Sequence, residues 1–84
     1  MTVTQVLTQG SGNGGCYVKS YKLKVTVDGD YWKDVEGGKE YTANTDNNTV
    51  VTNTLTTPIK CCALRIYPWT WSGGIYMRSD VMII

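Results

Sequence analysis

No histidine occurs anywhere in the 84 residues. Its absence removes the commonest general base and a frequent metal ligand. The acidic residues fall into no catalytic motif, so no constellation for chemistry is present and a non-enzymatic protein is expected. Cysteine is scarce: Cys16, Cys61 and Cys62 are the three present, with no C-x-x-C among them. Closed zinc sites usually take four ligands, so zinc is not expected. An odd count leaves at least one thiol unpaired in a monomer. Cys61 and Cys62, as neighbours in a strand, would point to opposite faces. Pairing of Cys16 with either stays open beside the plainer reading of small, mostly buried thiols. An excess of one charge is also missing: eight Lys/Arg stand against seven Asp/Glu, a net charge of +1. That balance predicts neither nucleic acid nor an anionic membrane as a long-range partner. No apolar run is long enough to span a bilayer. No basic-then-apolar leader follows Met1, and the chain reads as beginning inside a domain.

Helical periodicity is absent too. What remains is short β-favouring segments: Thr2–Thr8, Tyr17–Val27, Tyr31–Val35, Lys39–Thr42, Thr49–Leu55, Cys61–Tyr67 and Ile75–Ile84. Turn signals separate them. Asp28-Gly29 predicts a hairpin and Gly37-Gly38 another turn. "NTDNN" is a loop of residues that bond their own backbone. Pro58 is placed at the entry of a strand and Pro68 at the end of one. Many short strands at this spacing predict one all-β domain, an antiparallel sandwich or barrel. Asn47-Asn48-Thr49 is a glycosylation sequon, of consequence only in a secreted protein.

One stretch tests a different function. "QGSGNGGCYVKSY" carries Gly10, Gly12 and Gly15 in G-x-G-x-x-G spacing. A nucleotide loop must open a helix, where free N–H groups receive the pyrophosphate. The segment from Tyr17 to Val27 alternates with period two apart from its start, so a strand follows and the nucleotide reading fails. The loop joins two strands.

The segment "YTANTDNNTVVTNTLTTPIKCCALRIYPWTWSGGIYMRSDVMII" resembles the closing half of a discoidin domain, the coagulation factor V/VIII C-type module. Asn44, Thr45, Asp46, Asn48, Thr49, Val50, Val51 and Asn53 fall on the family's "GNTDxNTVVxNxF". Pro58, Ile59, Leu64, Arg65, Ile66, Pro68, Trp71, Gly73, Ile75 and Arg78 fall on its "PIxARYIRIxPxxWxGxIxLRxE". Upstream, "VTQVLTQG" and "YVKSYKLKVTVDGDYWKDV" resemble "VTxIxTQG" and "YVxSYxVxYSxDGxxW". Departures are the missing opening half, Ser11 where an arginine is usual, Cys61-Cys62 in place of Ala-Arg, and Asp80 for the closing glutamate.

The resemblance implies an incomplete jelly-roll sandwich of the galactose-binding-domain type over residues 1–84. It implies an extracellular recognition module for carbohydrate, phospholipid headgroups or a protein surface. The alternative is a structural or degenerate fragment that completes a sheet with a partner segment. Ligand contacts are expected at one pole, from residues 10–16 and a loop at Trp69–Gly74. The candidates are Ser11, Asn13, Cys16, Tyr17, Trp69, Trp71, Ser72 and Gly73. Ser11 and Asn13 offer hydroxyl and amide groups suited to sugar hydroxyls or headgroups. Trp71 matches a packing position and is expected in the core, whereas Trp69 is expected to be exposed; Trp32 is expected in the core. Arg65 and Arg78 are expected to pair with Asp46 or Asp80. Calcium is not expected, because Asp80 supplies one oxygen where six to eight are needed. With the opening half missing, Thr2–Thr8 is expected to be an unpaired edge, giving either self-association through it or marginal stability as a monomer.

Overall fold

A computed structural model describes residues 1–12 and 14–84. The described residues form seven strands in order: β1 Thr2–Gln9, β2 Tyr17–Thr26, β3 Trp32–Asp34, β4 Tyr41–Thr42, β5 Val51–Lys60, β6 Ala63–Ser72 and β7 Arg78–Ile83. A single 3-10 turn, Val35–Gly37, follows β3. All pairings are antiparallel, in two sheets. One sheet has the order β5-β1-β7; in the other, β2 pairs with β3 and β4 on one side and with β6 on the other. The expected all-β antiparallel sandwich is the architecture observed.

The core follows from side-chain alternation, with two phase changes. In β1 the register slips between Val3 and Gln5, so Val3, Val6 and Thr8 share the inner face although Val3 and Val6 are three apart. In β2 the register slips between Val18 and Ser20, so Val18 points inward with Tyr21, Leu23 and Val25. These side chains form one cluster with Val35, Tyr41, Ala43, Leu55 and Cys61. Tyr21 and Tyr41 stack at 5.5 Å between ring centroids. Burial pushes the Tyr21 phenol upward, partly offset by the Asn53 amide that bonds its hydroxyl.

Side chains lace the two sheets together along the β4–β5 side. Asn53 Nδ2 donates to Thr42 O at 2.8 Å and to Tyr21 Oη at 3.1 Å. Glu36 accepts from Thr56 N–H and from the Tyr41 hydroxyl, and these bonds, Thr56 first, hold its carboxyl below the ordinary range. The opposite side is open. There, among the described residues, β6 and β7 each have a neighbour on one side only.

Several expectations need correction. Thr2–Thr8 lies in the central strand of its sheet, paired on both sides, because β7 folds back to occupy the edge position. Pro58 sits within β5, in the stretch where pairing to β1 is interrupted between Ile59 and Thr54. Pro68 lies inside β6, not at its end. Both strands are sheet edges, where a proline without N–H is tolerated. Trp32 is half-buried on the outer face, with the Arg65 guanidinium 4.0 Å from its ring centroid. Arg65 therefore stacks and forms no ion pair. The one ion pair among the described residues joins Lys24 and Asp34 at 3.8 Å. Cys61 and Cys62 form the link between β5 and β6, buried and exposed respectively; all three thiols are free.

Candidate functional site

Three loops meet at one pole: residues 10–16 between β1 and β2, residues 43–50 between β4 and β5, and residues 73–77 between β6 and β7. The strand ends place them there. Gln9 pairs with Arg78, Thr8 with Val51, and Tyr17 with Ser72.

The first loop is pinned from two directions. Gly12 N–H donates to Asn47 O at 2.8 Å, and Ser11 N–H to Cys16 O at 3.1 Å. Gly10 lies so close to the middle loop that a Cβ there would sit 2.6 Å from Asn47 Cα. That contact, rather than nucleotide binding, accounts for this glycine. Arg78 Nε donates to Gly10 O at 2.7 Å. The expected ion pair of Arg78 is thus replaced by a carbonyl clamp.

The middle loop is ordered by two side chains. Asp46 Oδ1 accepts from Thr49 N–H at 2.7 Å and Asn48 N–H at 3.0 Å, while Oδ2 accepts from the Thr49 hydroxyl at 2.7 Å. Asn44 is buried; its Nδ2 donates to Thr49 O at 2.6 Å and Thr8 O at 3.2 Å, and its own N–H donates to Val18 O at 3.0 Å. One residue therefore ties β1, β2 and the loop together. The Thr49 bonds, backbone first, hold the Asp46 carboxyl below its ordinary value of 3.8. A carboxyl depressed by folding contributes stability that is present above its unfolded value and lost as pH falls through the folded one. Amide exchange of Asn48 and Thr49 is expected to quicken as pH falls below about 4, after correction for intrinsic rates. Asp46→Asn should exchange faster at pH 6 and lose the acid dependence.

The third loop closes onto the first. A Cβ on Gly73 would lie 3.2 Å from Cys16 Sγ. Gly73 also has φ +76°, a left-handed conformation that a side chain would strain. Ser11, Cys16, Tyr17, Ser72 and Gly73 are accordingly brought together; Asn13 lies outside the described residues. The tryptophans part company. Both lie within β6, so the expected loop at Trp69–Gly74 begins only after Ser72. Trp71 pairs with inward-facing Val18, which sets it on the core face, yet it is 45% exposed, β6 having no second strand beside it among the described residues. The core assignment of Trp71 is corrected to that extent. Trp69 is exposed as expected, but on the outer face, with the Lys22 ammonium 3.9 Å from its ring centroid. That sets it on the face opposite Trp71.

A groove of about 250 Å³ opens beside this pole, lined by Leu7, Gln9, Val50, Arg78, Ser79 and Asp80 among others. Among the described residues, none of those assigned to the site from sequence lines it. Sequence reasoning missed Asn47 and Arg78 as loop supports; in the structure Gly10 lies outside the positive-φ glycines and marks their close backbone approach, which no local pattern announces.

The family model for the F5/8 type C domain matches residues 1–81. The chain is 37% identical over 76 residues to discoidin-2 of Dictyostelium discoideum, covering 90% of this chain and 30% of that protein. It is 38% identical over 86 residues to human neuropilin-2, covering 94% of this chain and 9% of that protein. The solved structure of wild-type discoidin II from Dictyostelium discoideum superposes with a TM-score of 0.92 at 34% identity, over 95% of this chain and 31% of that one. The chain thus spans about a third of the discoidins it matches. On the sequence, the fold and the arrangement of its loops, it belongs to the F5/8 type C (discoidin) family.

Proposed function

We propose that the chain is a non-catalytic recognition module of extracellular type, binding carbohydrate or phospholipid headgroups through its loop pole. The observation that carries this reading is the packing of the 73–77 loop on Cys16. It gathers Ser11, Cys16, Ser72 and Gly73 around Tyr17, which pairs with Ser72, while the half-exposed Trp71 next to Ser72 in β6 faces the other side of the sheet. Hydroxyl and backbone groups next to an aromatic face suit a sugar ring or a headgroup with its apolar stem. Asn13 completes the set on sequence grounds. A metal is not part of the proposal: among the described residues no three His, Cys, Asp or Glu side chains come together.

Binding is tested on a glycan array and on vesicles of phosphatidylcholine with and without phosphatidylserine. Against whichever probe binds, Ser72→Ala and Asn13→Ala are each expected to cost about 0.5–1.5 kcal/mol, the range of a neutral hydrogen bond. A chelator should leave affinity unchanged. Unaltered affinity in both variants would place the site elsewhere, with the β1–β7 groove next to be tested.

A further inference from the structure

Of the five asparagines, Asn47 alone has a hydroxyl residue two positions on, in Asn47-Asn48-Thr49. It falls on the unspecified position of "GNTDxNTVVxNxF", so the family motif does not supply the triplet. A second, independent observation singles out the same side chain. Asn44 donates to Thr8 O and Thr49 O, Asn53 donates to Thr42 O and Tyr21 Oη, and Asn48 Oδ1 accepts from Gln9 Nε2. The Asn47 amide side chain takes part in no hydrogen bond among the described residues. Asn47 serves the middle loop through its backbone: its carbonyl accepts from Gly12 N–H at 2.8 Å, and its Cα lies against Gly10. The residue is partly exposed, between exposed Asp46 and Asn48.

We propose that Asn47 is an N-glycan attachment site, presented at the rim of the loop pole by a loop whose fold does not need its amide. The proposal rests on the extracellular reading above, because such triplets are modified in secreted proteins. In the transfer, Asn47 Nδ2 attacks the anomeric carbon of an oligosaccharide carried on a lipid pyrophosphate. The N–C bond forms as the C–O bond to the pyrophosphate breaks. The lipid pyrophosphate leaves with that electron pair, and the amide gives up one proton to a base of the transferase. Replacing that proton by a sugar breaks no hydrogen bond at Asn47, whereas at Asn44 or Asn53 it would cost one of the bonds that hold Thr8 O, Thr49 O or Thr42 O. The folded loop also sets the order of events. The hydroxyl of the triplet is what marks it for transfer. In the loop the Thr49 hydroxyl donates to Asp46 Oδ2 at 2.7 Å. Transfer therefore precedes closure of the loop, which then accommodates the glycan.

Peptide mass mapping of the protein isolated from the cells that make it, with and without a peptide-N-glycosidase, decides the proposal. The peptide holding Asn47 is expected to carry a glycan, which the glycosidase releases while converting the residue to aspartate. Protein recovered outside the cell with Asn47 unmodified would overturn the proposal and leave the recognition reading standing. Protein confined to the cell interior would overturn both. The full 84-residue chain secreted from a eukaryotic cell supplies the structural arm. Asn47→Gln and Thr49→Ala should each abolish the glycan mass, and Thr49→Ser should keep it. With the glycan in place, the Gly12, Asn48 and Thr49 amides should exchange as slowly as in the Asn47→Gln chain. Faster exchange at those amides in the glycosylated chain would show that the loop needs the free Asn47 amide, and would overturn the proposal as well.

Discussion

Gly10→Ala is expected to destabilise the fold by about 1–3 kcal/mol, the usual cost of overpacking, and to abolish binding at the loop pole. The added methyl would lie 2.6 Å from Asn47 Cα and 2.9 Å from its carbonyl carbon. Both are backbone atoms, so no side-chain rotation relieves the clash and the middle loop must move. Gly12 N–H then loses Asn47 O, and Arg78 loses its alignment on Gly10 O. In a domain this small each kcal/mol lowers the melting temperature by roughly 4–8 °C. Gly14→Ala is the control. Its φ of +76° is strained for alanine, but among the described residues no atom beyond its chain neighbours lies within 4 Å of the new methyl, so only the smaller backbone cost is expected. Thermal melts of the two variants side by side check the difference. Equal losses would mean that the Gly10–Asn47 approach does not brace the loops.

Asn44→Ala is expected to cost more, about 2–4 kcal/mol. The amide holds Thr8 O and Thr49 O, and truncation strands two carbonyls in a site where Asn44 itself is 1% exposed. Each buried group left unpaired costs about 1–3 kcal/mol. Asn44 Oδ1 and Thr8 Oγ1 have no protein partner among the described residues, which moderates the loss. Asn44→Asp should be nearly as damaging, since it replaces the donor with a buried acceptor. Urea denaturation measures both. A loss below about 0.5 kcal/mol in Asn44→Ala would show that the loop is held by other contacts.

The strands were legible because their alternation survives on one sequence. The Asp28-Gly29 hairpin was legible because its chemistry is local: Asp28 Oδ1 accepts from Asp30 and Tyr31 N–H, and Gly29 takes φ +91°. The bulges were not. Lys19 interrupts the alternation at the start of β2, and only the pairing with Trp71 and Thr70 shows that an extra residue is inserted there. The strand order was hidden for a similar reason. Thr2–Thr8 reads as an edge beside missing neighbours, and its central place depends on β5 and β7, whose pairing partners lie more than forty residues away. For the site, family resemblance placed the loops at one pole and Trp69 at the surface but erred on the burial of Trp71. Trp71 sits on the inner face by register, and its exposure depends on what lies beside β6, which no local pattern encodes. Arg78 looked like half of an ion pair because charge is visible in a sequence and a distant carbonyl is not.

The most direct measurement is amide chemical-shift mapping of the chain titrated with whichever glycan or headgroup the array and vesicle screens identify. The account predicts shifts centred on Ser11, Asn13, Cys16, Tyr17, Ser72 and Gly73, with none at the Asp28–Tyr31 turn at the other end of β2. Shifts centred on that turn, or on the outer face around Lys22 and Trp69, would contradict it.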